Sequence, residues 1–126
     1  MPVVGSKGVS LDLLIRQGAD LSFAVTLKSP DGSPVNLTGC LLRGCIRRKP
    51  HSPLIVATPV VAILAPAAEG KFTVSLPASV TVGLPAGDNE TEEKSRYVWD
   101  LELVDSLGLV VPVFYGVARV FREVTK

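Results

Sequence analysis

Apolar and polar positions alternate along most of the chain, with the period of two that is typical of β-strands with one buried face. Between Leu21 and Lys28 the odd-numbered residues are apolar, whereas the even-numbered residues are small or polar. The same alternation is found over residues 40–47, 71–76 and 97–104. Further apolar and β-branched runs occur at residues 11–16, 54–64, 109–115 and 117–124.

Turn signals separate these segments and favour antiparallel connections. They include residues 29–34, whose Gly32 tolerates a positive φ, and residues 105–108. One short helical turn is predicted near residues 77–84, because Pro77 suits a first helical position and Gly83 lies near the end. The pattern therefore predicts an all-β, antiparallel sandwich or barrel of about seven or eight short strands.

The length of 126 residues suits one domain with one hydrophobic core. Residues 1–10 are predicted to form a flexible N-terminal arm, and residues 11–126 a single β-sandwich domain. The chain does not begin with a cationic segment and a long apolar run, so no secretory signal is expected. The longest apolar stretch, residues 54–68, is interrupted by prolines and is shorter than the roughly 20 residues that cross a bilayer. We therefore expect a soluble protein made in the cytosol, with no membrane partner.

The composition adds an apolar bias to this picture. Apolar residues make up 47% of the chain and charged residues only 20%, while 13 basic and 12 acidic side chains leave a net charge of +1. Such a chain has little charge repulsion between copies, so we expect a homo-oligomer or a multi-copy assembly. The apolar content excludes intrinsic disorder, and the lack of a basic excess argues against a nucleic-acid partner.

Two cysteines and one histidine limit the metal and redox chemistry of the chain. Cys40 and Cys45 are five positions apart, which places them on opposite faces of an extended strand, so a disulfide between them is not expected. His51 cannot complete a four-ligand zinc site with these two thiols. No Gly-rich phosphate-binding loop is present either. The sequence therefore predicts neither a metal nor a cofactor.

No catalytic centre is predicted. A nucleophile–base pair would need His51, which lies in a proline-flanked loop between basic residues. Asp100 and Glu102 lie about 7 Å apart on one strand face, a spacing that overlaps that of glycosidase carboxylates, but acidic residues on an outer strand face are ordinary. A further acidic group consists of Asp88, Glu90, Glu92 and Glu93. It lacks the ligand order of a dedicated calcium site, which favours a solvated loop.

Two groups of residues are candidates for binding a partner. The first is basic and includes Arg43, Arg47 and Arg48; it either stays solvated or contacts an acidic protein surface. The second is apolar at positions predicted to face outward, as at interfaces, and consists of Val98, Val104, Val110 and Phe114. Phe114 is included because it lies on the face opposite Tyr115. The alternation in the last two strands does not settle which side chains face inward, so a place in the core stays open for some of these four residues.

The order of motifs resembles a known family. Residues 32–39 read G-S-P-V-N-L-T-G, residues 71–81 include K-F-T and L-P-A-S-V-T, residues 97–102 read Y-V-W-D-L-E, and residues 116–120 read G-V-A-R-V. This order is similar to the small immunoglobulin-like β-sandwich proteins of tailed bacteriophages, which include the N-terminal domain of baseplate upper proteins and fibre-attachment proteins. The resemblance covers residues 13–125. It implies an immunoglobulin-like sandwich, an assembly role and no catalytic residues.

The leading hypothesis is a structural virion protein of a tailed bacteriophage. It would be a tail or baseplate adaptor that attaches or organises tail fibres through contacts with other virion proteins, present in the virion after assembly in the host cytoplasm. Two alternatives stay open: a capsid decoration or cement protein of similar fold, and a carbohydrate- or surface-binding β-sandwich module. Modules of the second kind commonly expose aromatic side chains, whereas most aromatic residues here are predicted to face the core.

Overall fold

The computed structural model describes residues 8–89 and 92–122, which form nine β-strands and one short α-helix. The helix, α1 (Ala78–Thr81), lies within the predicted helical turn, and single turns of 3-10 helix occur at Ala67–Glu69 and Glu93–Ser95. The strands are β1 (Val9–Ser10), β2 (Leu13–Arg16), β3 (Leu21–Thr26), β4 (Leu41–Arg47), β5 (Ile55–Ala57), β6 (Val60–Ile63), β7 (Lys71–Leu76), β8 (Arg96–Val104) and β9 (Val110–Phe121).

The strands form two sheets, as the alternating pattern predicts. The larger sheet has the order β1-β9-β8-β4-β5, with β2 also pairing with β9, and the smaller sheet has the order β3-β7-β6. All pairs are antiparallel except those of β1 and β2 with β9, which are parallel. The predicted antiparallel β-sandwich is confirmed. Of the predicted arm, residues 1–7 lie outside the described residues, and Val9 and Ser10 form β1.

One apolar core fills the space between the two sheets. The larger sheet contributes Ile15, Ile46 and Leu101, and the smaller sheet contributes Phe72 and Val74, all of them almost fully buried. Burial of each such side chain contributes about 1.5–3 kcal/mol relative to an exposed position. No helix in the described residues is long and apolar enough to cross a membrane.

Two buried aromatic residues at the start of β8 attach upstream segments to the core. The Tyr97 hydroxyl donates a hydrogen bond to the carbonyl oxygen of Pro85, an arrangement similar to the tyrosine corner of immunoglobulin domains. Burial raises the pKa of Tyr97, so this hydroxyl stays protonated. Trp99 Nε1 donates to the carbonyl oxygen of Leu11 at 2.7 Å, which holds the segment before β2 against β8. Strand order and this corner together define an immunoglobulin-like β-sandwich.

The pairing of β8 with β9 contains a β-bulge. Leu101 pairs with Phe114, but the next residue of β8, Glu102, pairs with Pro112, so Val113 has no partner of its own in the register. One extra residue on a strand reverses the alternation of side chains beyond it. The alternation of inward and outward side chains in residues 109–113 therefore does not continue through Phe114.

This bulge makes the predicted orientation of Phe114 wrong. Phe114 packs against the core, and its ring centroid lies 6.1 Å from that of Trp99. Tyr115 consequently faces outward from the larger sheet. The one extra residue at Val113 thus places the Phe114 side chain toward the core and the Tyr115 side chain on the surface.

Candidate functional site

The outer face of the larger sheet carries a groove with a volume of about 560 Å³. This volume lies within the range of about 300–1,000 Å³ that is typical of small-molecule sites. Cross-strand pairing arranges the side chains of this face in rows. From one end to the other, the rows are Cys45–Asp100–Tyr115, then Arg47–Val98–Val117, then Arg96–Arg119. The first two rows and Arg96 line the groove.

Arginine side chains make one end of the groove cationic. Arg96 and Arg119 lie directly opposite each other on β8 and β9, and like charges in this position are destabilising. Arg119 donates to the carbonyl oxygen of Glu92 at 3.4 Å. The Arg96 side chain is exposed and has no hydrogen-bond or ion-pair partner among the residues that the structure describes. Its guanidinium is therefore available to an anionic group that enters the groove.

The other end of the groove carries carboxylates and a phenol ring. Asp100 Oδ1 accepts a hydrogen bond from the Cys45 thiol at 3.3 Å, and Asp12 Oδ1 accepts one from the Val117 backbone N–H at 2.9 Å. A carboxylate accepts several hydrogen bonds, so both side chains can also bind hydroxyl groups of a ligand. Tyr115 is half-buried beside them and presents an aromatic ring to the groove. The groove thus combines an aromatic surface with groups of both charges.

Cys45 is held in its protonated form within this groove. Burial, together with the hydrogen bond to Asp100, raises the pKa of the Cys45 thiol to about 11 from the ordinary value of 9.0, although the Arg47 guanidinium opposes the shift. Because the thiolate is the nucleophile, we expect iodoacetamide at pH 8 to alkylate Cys45 at least about tenfold more slowly than a solvated thiol in a model peptide. Mass spectrometry of time points measures this rate. Replacement of Asp100 by asparagine is expected to accelerate it, and a native rate equal to that of the peptide would contradict the assignment.

The structure brings only some of the predicted partner-binding residues together. Arg47 and Val98 lie side by side in the groove. Arg43 lies further along the same face and forms an ion pair with Glu102 at 2.7 Å. Arg48 has internal partners, because its guanidinium lies 4.5 Å from the Tyr97 ring centroid and donates to the carbonyl oxygen of Lys94.

The predicted outward positions of Val98, Val104 and Val110 are correct, but these residues do not form one apolar patch. Val104 pairs with Val110 at the far end of the sheet, six residues and about 20 Å along β8 from Val98. Charged side chains occupy the rows between them. Leu107 and Leu109 are 85% and 62% exposed in the adjacent turn. We call Leu41, Val104, Leu107, Leu109 and Val110 the apolar tip.

Residues considered for metal binding are dispersed. In the described part of the chain no group of three or more His, Cys, Asp or Glu side chains is arranged to hold a metal ion. Within the predicted acidic loop, Asp88 pairs with Arg122 and Glu92 with Lys94, while Glu90 lies outside the described residues. Cys40 and Cys45 are free thiols.

The sequence alone did not identify Tyr115 or Arg96 as site residues. The alternation in residues 109–115 places Tyr115 on the face opposite Phe114, toward the core, because the bulge leaves no clear signal in this segment. Arg96 immediately precedes the predicted strand over residues 97–104 and so lies outside its alternating pattern. Extending the alternation of that strand by one residue places Arg96 on the same face as Val98 and Asp100, so a signal was present.

Comparison with known proteins supports the fold. No protein-family model matches the chain, and no curated protein matches it either. Among solved structures, the chain is similar to the SrpA adhesin of Streptococcus sanguinis, with a TM-score of 0.50 and 12% identity over 88% of this chain and 55% of that one. The sialic acid-binding region of a Streptococcus sanguinis adhesin, solved with 3'sLn, gives a TM-score of 0.49 and 15% identity over 89% of this chain and 28% of that one. The chain thus spans about half or less of these adhesin structures.

The class of protein, an all-β sandwich, is defined by the two sheets and their strand order, and the comparisons do not assign the chain to a family. At such low identity the likeness extends to the fold alone. Both reported structures are bacterial adhesins rather than phage proteins. The resemblance to phage tail and baseplate proteins stays a prediction.

Proposed function

We propose that this protein is a non-catalytic binding module that holds a carbohydrate in the groove of the larger sheet. The observation that carries the proposal is the groove of about 560 Å³ that contains both the Tyr115 ring and charged side chains. Sugar rings present an apolar C–H face and a rim of hydroxyl groups. Tyr115 suits the first, and the carboxylates of Asp12 and Asp100 suit the second.

The cationic end of the groove favours an acidic saccharide over a neutral one. A carboxylate or sulfate group placed between Arg47 and Arg96 would form charge-assisted hydrogen bonds, which are about twice as strong as neutral ones. It would also relieve the repulsion between Arg96 and Arg119. A neutral sugar in the same place gains neither effect, so the ligand of this groove carries an anionic group.

A glycan array with neutral, carboxylated and sulfated members tests this function. We expect the native protein to bind acidic members, and both Arg96→Ala and Tyr115→Ala to lower the affinity at least about tenfold. Arg122→Ala is the matched control, because Arg122 is exposed and pairs with Asp88 outside the groove. Absence of binding to every class, or equal binding by the native protein and Arg96→Ala, would contradict the proposal.

A structural virion subunit is the second candidate, and the apolar tip favours it. Exposed apolar side chains such as Leu107 and Leu109 mark surfaces that other proteins cover. Under this proposal a tail, baseplate or capsid protein covers the tip. The two candidate functions predict opposite effects of two variants on partner binding. A structural subunit loses its partner with Leu107→Ser and keeps it with Tyr115→Ala. A carbohydrate-binding module shows the reverse.

A further inference from the structure

The smaller sheet has one edge that lacks the usual protection against pairing with another chain. Edge strands are normally short, bulged, charged or interrupted by proline. β5 has three residues and a register shift, β6 has four residues and follows Pro59, and a break at residues 11–12 separates β1 from β2. β3 instead has six residues in unbroken register with β7, and these contain no charge, proline or glycine.

The outer backbone groups of β3 point away from the sheet. Leu27 donates its backbone N–H to the carbonyl oxygen of Gly70, on the side of β7. Because successive residues of a strand direct their backbone groups to alternate sides, those of Ser22, Ala24 and Thr26 point toward the open edge. All three residues are exposed. The edge is therefore a row of N–H and C=O groups that a further strand can pair with.

The residues of this segment are self-complementary about Ala24. When two copies run antiparallel with Ala24 opposite Ala24, Ser22 faces Thr26 of the other copy, and Asp20 faces Lys28. Ser–Thr pairs and pairs of opposite charge are favourable across neighbouring strands. The same register places one charge pair at each end of the contact.

The inner face of the strand is equally self-complementary. In the same register Phe23 faces Val25 of the other copy, and Leu21 faces Leu27. These four side chains are only half-buried at the margin of the core, so a second copy would cover them further. Aromatic–β-branched pairs are among the favourable cross-strand pairs. Every position from Asp20 to Lys28 thus meets a chemically matching residue.

We propose that two copies of this chain associate through β3, in antiparallel register about a two-fold axis at Ala24, and join their smaller sheets into one six-stranded sheet. The three outward residues on each strand supply about six interchain backbone hydrogen bonds. A two-fold arrangement uses the same patch on both copies, which is the commonest geometry of homo-oligomers. The net charge of +1 opposes this association little.

This dimer has a consequence for the groove that rests on the proposed function. The two-fold axis is perpendicular to the smaller sheets, so both larger sheets present their outer faces on the same side. Two grooves side by side can bind a surface that carries many ligands, and linked sites gain apparent affinity without new contacts. The dimer itself does not depend on what the groove binds.

Sedimentation velocity over a range of concentrations tests the dimer directly. The native chain is expected to sediment as a dimer, with twice the chain mass of 13.3 kDa. Ala24→Lys places two lysines opposite each other in that dimer. It is therefore expected to raise the dissociation constant of the dimer at least about tenfold. Ala62→Lys is the matched control, because Ala24 and Ala62 pair with the same residue, Thr73, from opposite sides. A native monomer at millimolar concentration, or equal dimerisation of both variants, overturns the proposal.

A charge-swap pair keeps the test valid if Ala24→Lys fails to fold. The double variant Ser22→Lys/Thr26→Lys and its acidic counterpart Ser22→Glu/Thr26→Glu should each be monomeric alone and form a heterodimer when mixed. Absence of the heterodimer overturns the proposed register. Binding to glycan immobilised at high density distinguishes dimer formation from the proposed function of the groove. If Ala24→Lys loses avidity for this surface but binds a monovalent glycan as the native protein does, the result supports the paired grooves. Unchanged avidity contradicts them.

Discussion

Replacement of Gly116 by alanine is expected to lower the free energy of unfolding by about 3 kcal/mol, because β9 and the segment before β2 approach too closely for a side chain. A Cβ atom at Gly116 would lie 2.3 Å from the carbonyl oxygen of Leu11 and 2.8 Å from Asp12 Oδ1. Leu11 cannot move away without losing the hydrogen bond that Trp99 donates to it. Urea denaturation followed by circular dichroism measures the change.

Gly83→Ala is the control for this experiment. Gly83 follows α1, and the nearest atom to an added Cβ is the carbonyl oxygen of Val80 at 3.7 Å, an ordinary contact. This variant is expected to unfold at the native urea concentration or slightly above it. If Gly116→Ala were as stable as Gly83→Ala, the close packing of the N-terminal segment on β9 would be wrong.

The second large effect is expected for Trp99→Ala, at about 4 kcal/mol of lost unfolding free energy. Trp99 is 3% exposed, packs on Phe114 and donates its indole N–H to Leu11. Truncation therefore leaves a cavity and an unpaired carbonyl oxygen. Trp99 is the only tryptophan, so unfolding of this variant must be followed by circular dichroism rather than by indole fluorescence.

Trp99→Phe separates the cost of the cavity from the cost of the lost hydrogen bond. It keeps much of the ring volume but removes the indole donor, so a loss of about 1–3 kcal/mol is expected from the buried group left unpaired and the smaller ring. A Trp99→Ala variant within 1 kcal/mol of the native protein would show that β8 does not anchor the segment before β2.

The fold was predictable from the sequence because its strands are regular. In β3, β7 and β8 the inward residues are apolar without exception, and the sheets bury these faces as the alternation predicts. Turns and the helical turn at α1 follow from their glycines and prolines. The pairing of β1 and β2 with β9 was not predicted, since parallel contacts between distant segments leave no local signal.

The candidate site was only partly predictable, for two physical reasons. The bulge at Val113 is set by pairing with β8 and reverses Phe114 and Tyr115, which no pattern within β9 reveals. The basic residues are close in the sequence but divided in space: Arg47 lies in the groove, whereas Arg48, on the other side of the strand, packs on Tyr97. Arg96 comes from a different strand, and only the register unites it with Arg47 and Tyr115.

Nuclear magnetic resonance titration of the ¹⁵N-labelled protein tests the central claim, that the outer groove of the larger sheet binds an acidic saccharide. The probe is a carboxylated trisaccharide, with its neutral parent as the control. We predict saturable shifts at the backbone amides of Arg47, Arg96, Val98 and Tyr115, and none with the neutral sugar. Shifts confined to the apolar tip, equal shifts with both sugars, or no shift at millimolar concentration would contradict the account.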